Sequence, residues 1–274
     1  MTDPFTVLMP LWRGDRADRF RRAVESVTVH QALAPQELLV VVDGPVPAEL
    51  EDELARIESG RYGPARVRRS PAHRGLAPVL QEGLLAARTE IVARADADDL
   101  CRPERFARQI PLMAELDLLG SAMQEFSDTR PAGQGPLRRR PQTHAAIRDY
   151  LPFHSPFHHP TVVMRRSTAL AAGGYRELDH LEDYWLWERM LLAGARTANL
   201  PEVLVDYRVD KRLFARRGGW RMFASDLRLQ RIFCEDRVTT PRQMLVNIGR
   251  RGAYRFAPGW LRRIGYRTVV EGSL

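Results

Sequence analysis

Residues 91–99 read I-V-A-R-A-D-A-D-D, a short apolar run that stops in three carboxylates, Asp96, Asp98 and Asp99. Such a run fits a strand buried on both faces, the kind found in parallel sheets covered by helices. Ligands of an open α/β sheet bind just beyond the carboxyl ends of its strands. Three acids crowded at such an end repel one another unless a positive charge sits among them. A divalent cation carrying a phosphate-containing ligand would supply that charge. The plainer reading is a helix start, with Asp98 or Asp99 as N-cap and Pro103 in the first turn.

The flanking sequence repeats the same pattern. Residues 5–11 (F-T-V-L-M-P-L) and 38–42 (L-L-V-V-V) read as strands, with Pro10 expected at a strand end or bulge. Residues 66–69 are a candidate short strand. Between them, residues 16–29 and 47–59 carry apolar side chains at helical spacing, and Gly75 opens a further helix bearing Leu76, Leu80, Leu84 and Leu85. Residues 103–114 predict another helix and 118–126 another strand. Residues 127–142, rich in Pro, Gly and Arg, read as a mobile loop whose arginines could close over a phosphate or be solvated, solvation being favoured. A last strand is expected over 204–209. Strands alternating with helices predict an α/β fold, a mostly parallel central sheet flanked by helices. Right-handed crossovers then bring the strand ends to one rim. That rim collects Trp12, Asp43, His73, Arg74 and the three acids.

Two further stretches carry chemistry. Residues 151–164 hold His154, His158 and His159 among prolines before a strand. Adjacent histidines in extended chain point to opposite sides, so only one of His158 and His159 can face a site. Gly173-Gly174-Tyr175 marks a turn before a helix that opens on Glu182 and Asp183. Acids in a first turn stabilise a helix by ~0.3–1 kcal/mol. They can also project into a cleft and act as a general base.

In order, these segments resemble glycosyltransferase family 2, the inverting nucleotide-sugar transferases of the GT-A fold. The resemblance rests on T-V-L-M-P-L-W, V-V-V-D-G-P, H-R-G-L-A-P-V-L-Q-E-G-L, R-A-D-A-D-D, H-P-T-V-V-M-R, G-G-Y with E-D-Y-W-L-W, and N-L-P-E-V-L-V-D-Y-R-V. Bacterial enzymes of exopolysaccharide, O-antigen and capsule synthesis are the nearest in kind. The resemblance implies a GT-A catalytic domain over residues 1–209, with a nucleotide-sugar half to about 115 and an acceptor half from 116. Donor contacts would come from Pro10, Trp12, Asp43, Arg74, Gly75, Asp96 and Asp98. Asp98, with Asp96, would hold manganese or magnesium. Asp183 would be the general base, with Glu182 its rival, and His159 and Trp185 would lie on the acceptor side. The implied donor is a nucleotide-diphosphate sugar, a UDP-sugar foremost; the acceptor is a saccharide or a polyprenyl-linked saccharide. The family often has tyrosine and asparagine where Leu11-Trp12-Arg13 stands, and an asparagine-containing pair where His73-Arg74 stands.

Charge is distributed unevenly. Residues 1–206 carry a balance of −3 and residues 207–274 one of +11, out of a net +8. The basic extension, 210–274, is expected to be helical, with Trp220, Phe223, Leu227 and Ile232, then Trp260, Leu261, Ile264 and Tyr266, set among arginines. Such segments can lie on anionic membranes or simply pack on the domain. Nucleic acid is not expected as a partner, and two unpaired cysteines with no metal spacing fit a cytoplasmic protein. No apolar run approaches the ~20 residues that span a bilayer, so any membrane contact would be peripheral, at the inner face. A nucleotidyltransferase and a non-enzymatic binder of nucleic acid or anionic surfaces are the rival readings. The first lacks a glycine-rich signature near the opening strand, and the second leaves the acids unexplained.

Overall fold

Strand and helix follow one another as the apolar periodicities require. The structure, a computed structural model, describes residues 3–209 and 219–258. The first half runs β1 (Phe5–Trp12), α1 (Ala17–Val27), β2 (Glu37–Asp43), α2 (Ala48–Glu58), β3 (Ala65–Arg69), α3 (Leu76–Ala86) and β4 (Ile91–Arg94). β3, β2, β1 and β4 are parallel neighbours in that order. Alternate residues of each strand face opposite layers. Leu38, Val40 and Val42 pack under α1 and α2, while Leu39 and Val41 pack under α3. Pro10 is tolerated inside β1 because β4 pairs only as far as Leu8. Leu8 accepts from Ala95 on the β4 side, so Pro10, of the same parity, turns its missing N–H to where β4 has ended.

The second half departs from a parallel sheet. It contains β5 (Leu100–Cys101), α4 (Arg105–Gln109), a 3₁₀ turn at Ile110–Ala114, β6 (Leu118–Phe126), β7 (Leu137–Arg138), α5 (His144–Tyr150), a 3₁₀ turn at His159–Thr161, β8 (Val163–Arg165), α6 (Arg166–Ala171), α7 (Glu182–Leu192) and β9 (Thr197–Arg208). β8 runs antiparallel between β4 and β6, β9 is parallel to β6, and β5 pairs antiparallel with β9. The sheet is therefore mixed. β8 starts at the rim where the parallel strands end, and that places His159, just before it, at the same rim.

Several local expectations are corrected. The single helix over 103–114 is broken into α4 and a 3₁₀ turn, with Pro111 at the break. Neither Asp98 nor Asp99 caps it, since its N-cap position is Glu104 and bears no side-chain cap. The 127–142 segment is not simply a solvated loop: β7 pairs with β6, and Arg138 is buried against Glu125. β9 begins at Thr197, seven residues before the expected strand, and passes Ser121 and Met123 of β6 with irregular register.

Beyond β9 come α8 (Trp220–Glu235) and α9 (Pro241–Phe256), an antiparallel pair in which the Gly219 N–H donates to the Arg255 carbonyl at 3.2 Å. Met222, Leu229 and Phe233 of α8 share a core with Tyr184 and Trp187 of α7. The basic segment at 210–218, with Lys211 and most of R-R-G-G, and the stretch 259–274 with Trp260, Leu261, Ile264 and Tyr266, lie outside the described residues.

The α7–α8 contact buries a carboxylate completely. Glu188 has no exposed surface, and its proton affinity is pushed up to about 8, first by burial and then by the adjacent Asp236 carboxylate. A carboxyl raised in the folded state adds no penalty below its unfolded value near 4.5. It costs stability progressively as pH rises from there toward 8. Glu188→Gln is therefore expected to melt like the parent at pH 4.5 and above it at pH 8, as read by thermal denaturation across that range.

Candidate active site

Asp43 closes β2 and organises one side of the rim. Its carboxylate accepts the Arg74 N–H at 2.7 Å and the Gly75 N–H at 2.9 Å, and His73 Nδ1 lies 2.7 Å from the second oxygen. Gly44 makes this turn with φ +79°, and a Cβ there would stand 2.7 Å from the His73 backbone nitrogen. Asp43 thus fixes the loop that enters α3. A carboxylate offers about four lone-pair directions, so one remains for a ligand.

The Arg74 side chain does not join this rim. Its Nη2 donates to Ser70 Oγ at 2.7 Å and pairs with Glu82 along α3. To make the donor contact expected of it, the guanidinium would first have to leave Glu82. Trp12, at the end of β1, is 41% exposed. Its ring lies over Gly14 and 5.9 Å from the His73 ring at an interplanar angle of 31°. Pro10, Trp12, Asp43, His73 and Gly75 therefore share one end of the sheet.

The acids after β4 sit beside them. Asp96 forms an ion pair with Arg94, whose side chain is 4% exposed. Asp98 is pushed up to about 6, first by burial and then by Asp96. Asp15 reaches about 7, again by burial first, with Asp98 and Asp96 adding to it. Asp99 is buried and held well above the usual carboxylate range. One of its oxygens accepts the Arg208 N–H at 2.7 Å, and the other has no hydrogen-bond partner among the described residues. Arg208 also donates from Nε to the Asp98 carbonyl at 3.0 Å and lies 4.3 Å from the Phe126 ring centre. Among the described residues no three His, Cys, Asp or Glu side chains converge as a complete metal shell. A hard cation that keeps phosphate and water ligands needs only one or two carboxylates. Acids whose negative charge is under-compensated fit such a cation.

Across the rim, α7 begins with Glu182 and Asp183. Glu182 is buried, and its carboxyl is pushed upward, by burial first and then by Asp183. Asp183 is more open, with 19% of its side chain exposed. One oxygen accepts the Tyr184 N–H at 2.7 Å, and the other lies 4.0 Å from His159 Nδ1. His159 Nε2 is 2.9 Å from the Tyr175 hydroxyl, and its ring meets Trp187 edge-on at 5.8 Å. Burial, then Arg94, holds this imidazole well below its ordinary value, so it is neutral. Tyr175 is delivered by the Gly173-Gly174 turn: a Cβ on Gly174 would meet the Gln81 amide at 2.0 Å, and Gln81 holds the Tyr175 N–H at 2.7 Å.

Of the expected acceptor-side pair, the structure brings His159 to Asp183, while His158 is buried in the core. Trp185, the other member, does not adjoin Asp183 on the helix face. Residues two apart on a helix do not share a face, and its ring is taken up by Arg189 at 5.0 Å, Arg176 at 5.6 Å and Arg228 at 6.0 Å. Four residues were given no role from sequence: Arg94, Asp15, Tyr175 and Arg208. Tyr175 and Arg208 fell within quoted motifs and Arg94 stood inside an otherwise apolar strand, while Asp15 left no signal. Arg94 is ion-paired with Asp96, and its buried charge also contributes to the shifts at Tyr175, Glu182 and His159.

Comparison with known proteins agrees with this architecture. TarS of S. aureus in complex with UDP-GlcNAc superposes with a TM-score of 0.66 at 17% identity, covering 93% of this chain and 73% of that one. A mannosyltransferase, PcManGT from Pyrobaculum calidifontis, in complex with GDP-Man and Mn2+, gives 0.64 at 17% identity over 100% and 77%. In sequence, the amylovoran biosynthesis glycosyltransferase AmsE of Erwinia amylovora is 33% identical over 83% of this chain and 85% of its own length. An Escherichia coli UDP-Gal:alpha-D-GlcNAc-diphosphoundecaprenol beta-1,3-galactosyltransferase is 29% identical over 100% and 98%. Residues 6–174 match the profile of Glycosyl transferase family 2. The chain belongs to glycosyl transferase family 2 and is a transferase of the GT-A fold.

Proposed function

We propose that the chain transfers a sugar, with inversion, from a UDP-sugar to a lipid-linked saccharide in surface polysaccharide synthesis. The observation that carries the reading is Arg94: one buried guanidinium ion-paired to Asp96 also lies close enough to Glu182 and His159 to shift their proton affinities. This supports reading the acids after β4 and those at the start of α7 as flanking a single reaction space. The relatives' names support the substrate classes, since one acts on UDP-Gal and a diphosphoundecaprenol-linked acceptor and another belongs to amylovoran biosynthesis.

In this reading the nucleoside lies against Pro10, Trp12 and the free edge of Asp43, and the diphosphate reaches Gly75 and the acids. Asp98, with Asp96, would hold manganese or magnesium, which supplies positive charge for the departing diphosphate. Asp183 accepts the acceptor hydroxyl proton while that oxygen attacks the anomeric carbon. The bond to the UDP oxygen breaks on the opposite face, which inverts the centre. Neutral His159, held by Tyr175, borders Asp183 and offers its ring to the incoming saccharide. Residues 1–209 would form the catalytic unit and 210–274 a basic extension serving it at the inner face of the membrane. Among the described residues no helix is long and apolar enough to cross a membrane.

The test is nucleotide stabilisation. UDP with manganese is expected to raise the melting temperature of the parent chain, and Asp98→Asn to lose the manganese-dependent part while folding normally. Equal metal-dependent stabilisation in that variant would remove Asp98 from the metal site.

A further inference from the structure

Helix α9 has two faces, and among the described residues only one is held by the rest of the fold. Asn247 donates to the Pro152 carbonyl at 2.9 Å, and Arg251 and Arg255 turn inward onto the fully buried Asp226 at 2.6 and 2.8 Å. The opposite face carries Arg242, Leu245, Val246, Gly249, Ala253 and Phe256, all exposed. Their spacing of three and four residues sets them in one stripe about 100° wide. Leu245 is 66% exposed, Val246 52% and Phe256 55%. At the end of the stripe Phe256 joins Trp220 and Phe223 in a ring cluster with centroids 5.3–6.1 Å apart, and Trp220 is 68% exposed. A contiguous apolar surface of this kind is uncommon on a soluble protein without a partner.

Beside the stripe, between α5 and α9, opens a cavity of about 450 Å³ lined by Ala146, Asp149, Tyr150, Phe153, His154 and Arg250. Arg140 stands 5.8 Å from the Tyr150 ring centre. The local field is positive: burial first, and then Arg251, Arg140 and Arg250, depress the His154 imidazole to about 4. Asp149 at the mouth is the single acid of the lining. Helix α9 itself contains four arginines and no acid.

We propose that the outer face of α9, with the Trp220–Phe223–Phe256 cluster and the Arg250 cavity, docks on an anionic phospholipid bilayer, the apolar stripe entering the headgroup boundary and the cavity receiving a lipid phosphate. Charge chooses this occupant. A second copy of the chain would meet the same arginines, and nucleic acid has no use for Leu245 and Val246, whereas an interfacial helix needs both an apolar stripe and basic flanks. Trp220 at the stripe's end suits the headgroup level. The segment that α9 holds through Asn247 and Arg251, residues 152–153, leads along the chain to His159. Docking would thus lie close to the acceptor side. That a bilayer is where the reaction occurs rests on the lipid-linked acceptor read above; the docking face itself does not.

The experiment is sedimentation of the full chain with vesicles of phosphatidylcholine, alone or with phosphatidylglycerol. Binding is expected only to the anionic vesicles. Leu245→Glu/Val246→Glu, on exposed positions, is expected to abolish it. Arg250→Ala should weaken it about fivefold, from ~1 kcal/mol per basic residue at the surface. Arg88→Ala, an exposed arginine of the other half, should leave it unchanged. Equal binding to neutral vesicles, no loss in the double variant, or full competition by millimolar inorganic phosphate would each overturn docking. UDP release with a soluble acceptor is expected to persist in the double variant, and vesicle binding to persist in Asp183→Asn, so failure of the docking and failure of the catalytic reading are separately visible.

Discussion

Asp183→Asn is expected to lower kcat for sugar transfer by about 10²–10⁴-fold, the usual contribution of a positioned general base, while UDP binding is retained. Two adjacent acids compete for the role, and the structure separates them by their surroundings. Glu182 is buried, and its carboxyl is pushed upward first by burial and then by Asp183, which favours its protonated form. Asp183 is the more open of the two and faces the neutral His159 ring at 4.0 Å. Asparagine keeps the shape and the Tyr184 N–H contact and removes only the proton acceptor. Initial rates at saturating donor, beside UDP affinity by titration calorimetry, measure the two effects independently. Loss of UDP binding together with the rate would make Asp183 a donor contact instead.

The second large effect is expected at Arg94. Its guanidinium is buried and ion-paired with Asp96, and Arg94→Met would leave that carboxylate without its partner. Breaking a fully buried pair from one side costs about 3–5 kcal/mol; Asp96 is 26% exposed, so the cost is smaller and a fall in melting temperature of about 5 °C is expected for a chain of this size. Adding Asp96→Asn removes the stranded charge, and the double variant is expected to regain much of the loss. A double variant no more stable than Arg94→Met would show that Arg94 acts by packing and not by charge. The same substitution lets the His159 imidazole titrate closer to its ordinary value, since Arg94 is the second cause of its depression.

The parts of this molecule that were legible in the sequence are those set by local periodicity. The L-L-V-V-V run becomes β2, buried throughout, and the apolar spacing in 16–29 and 47–59 becomes α1 and α2. Asp43, Asp96, Asp98 and Asp183 could be singled out because acids at strand ends and helix starts mark a rim. What could not be read depends on contacts distant in sequence. Antiparallel β8 is imposed by its place between β4 and β6. The Arg74–Glu82 pair and the three arginines around Trp185 were likewise not legible. Asp15 gave no signal, because a turn aspartate gains its significance only when β1 and β4 lie side by side. Asp99 resembled a helix cap and instead receives the Arg208 N–H from β9, across 109 residues of chain. The rival readings, a nucleotidyltransferase or a non-enzymatic binder, are set aside by the family to which the chain belongs.

The central claim is that one rim joins a metal-assisted diphosphate site to a carboxylate base. It is tested most directly by UDP release from a panel of UDP-sugars, with a diphosphopolyprenyl-linked monosaccharide as acceptor, with and without manganese. The account predicts that UDP release from one donor requires both acceptor and metal, and yields a product of inverted anomeric configuration. Release that ignores the metal, or a product of retained configuration, would contradict it.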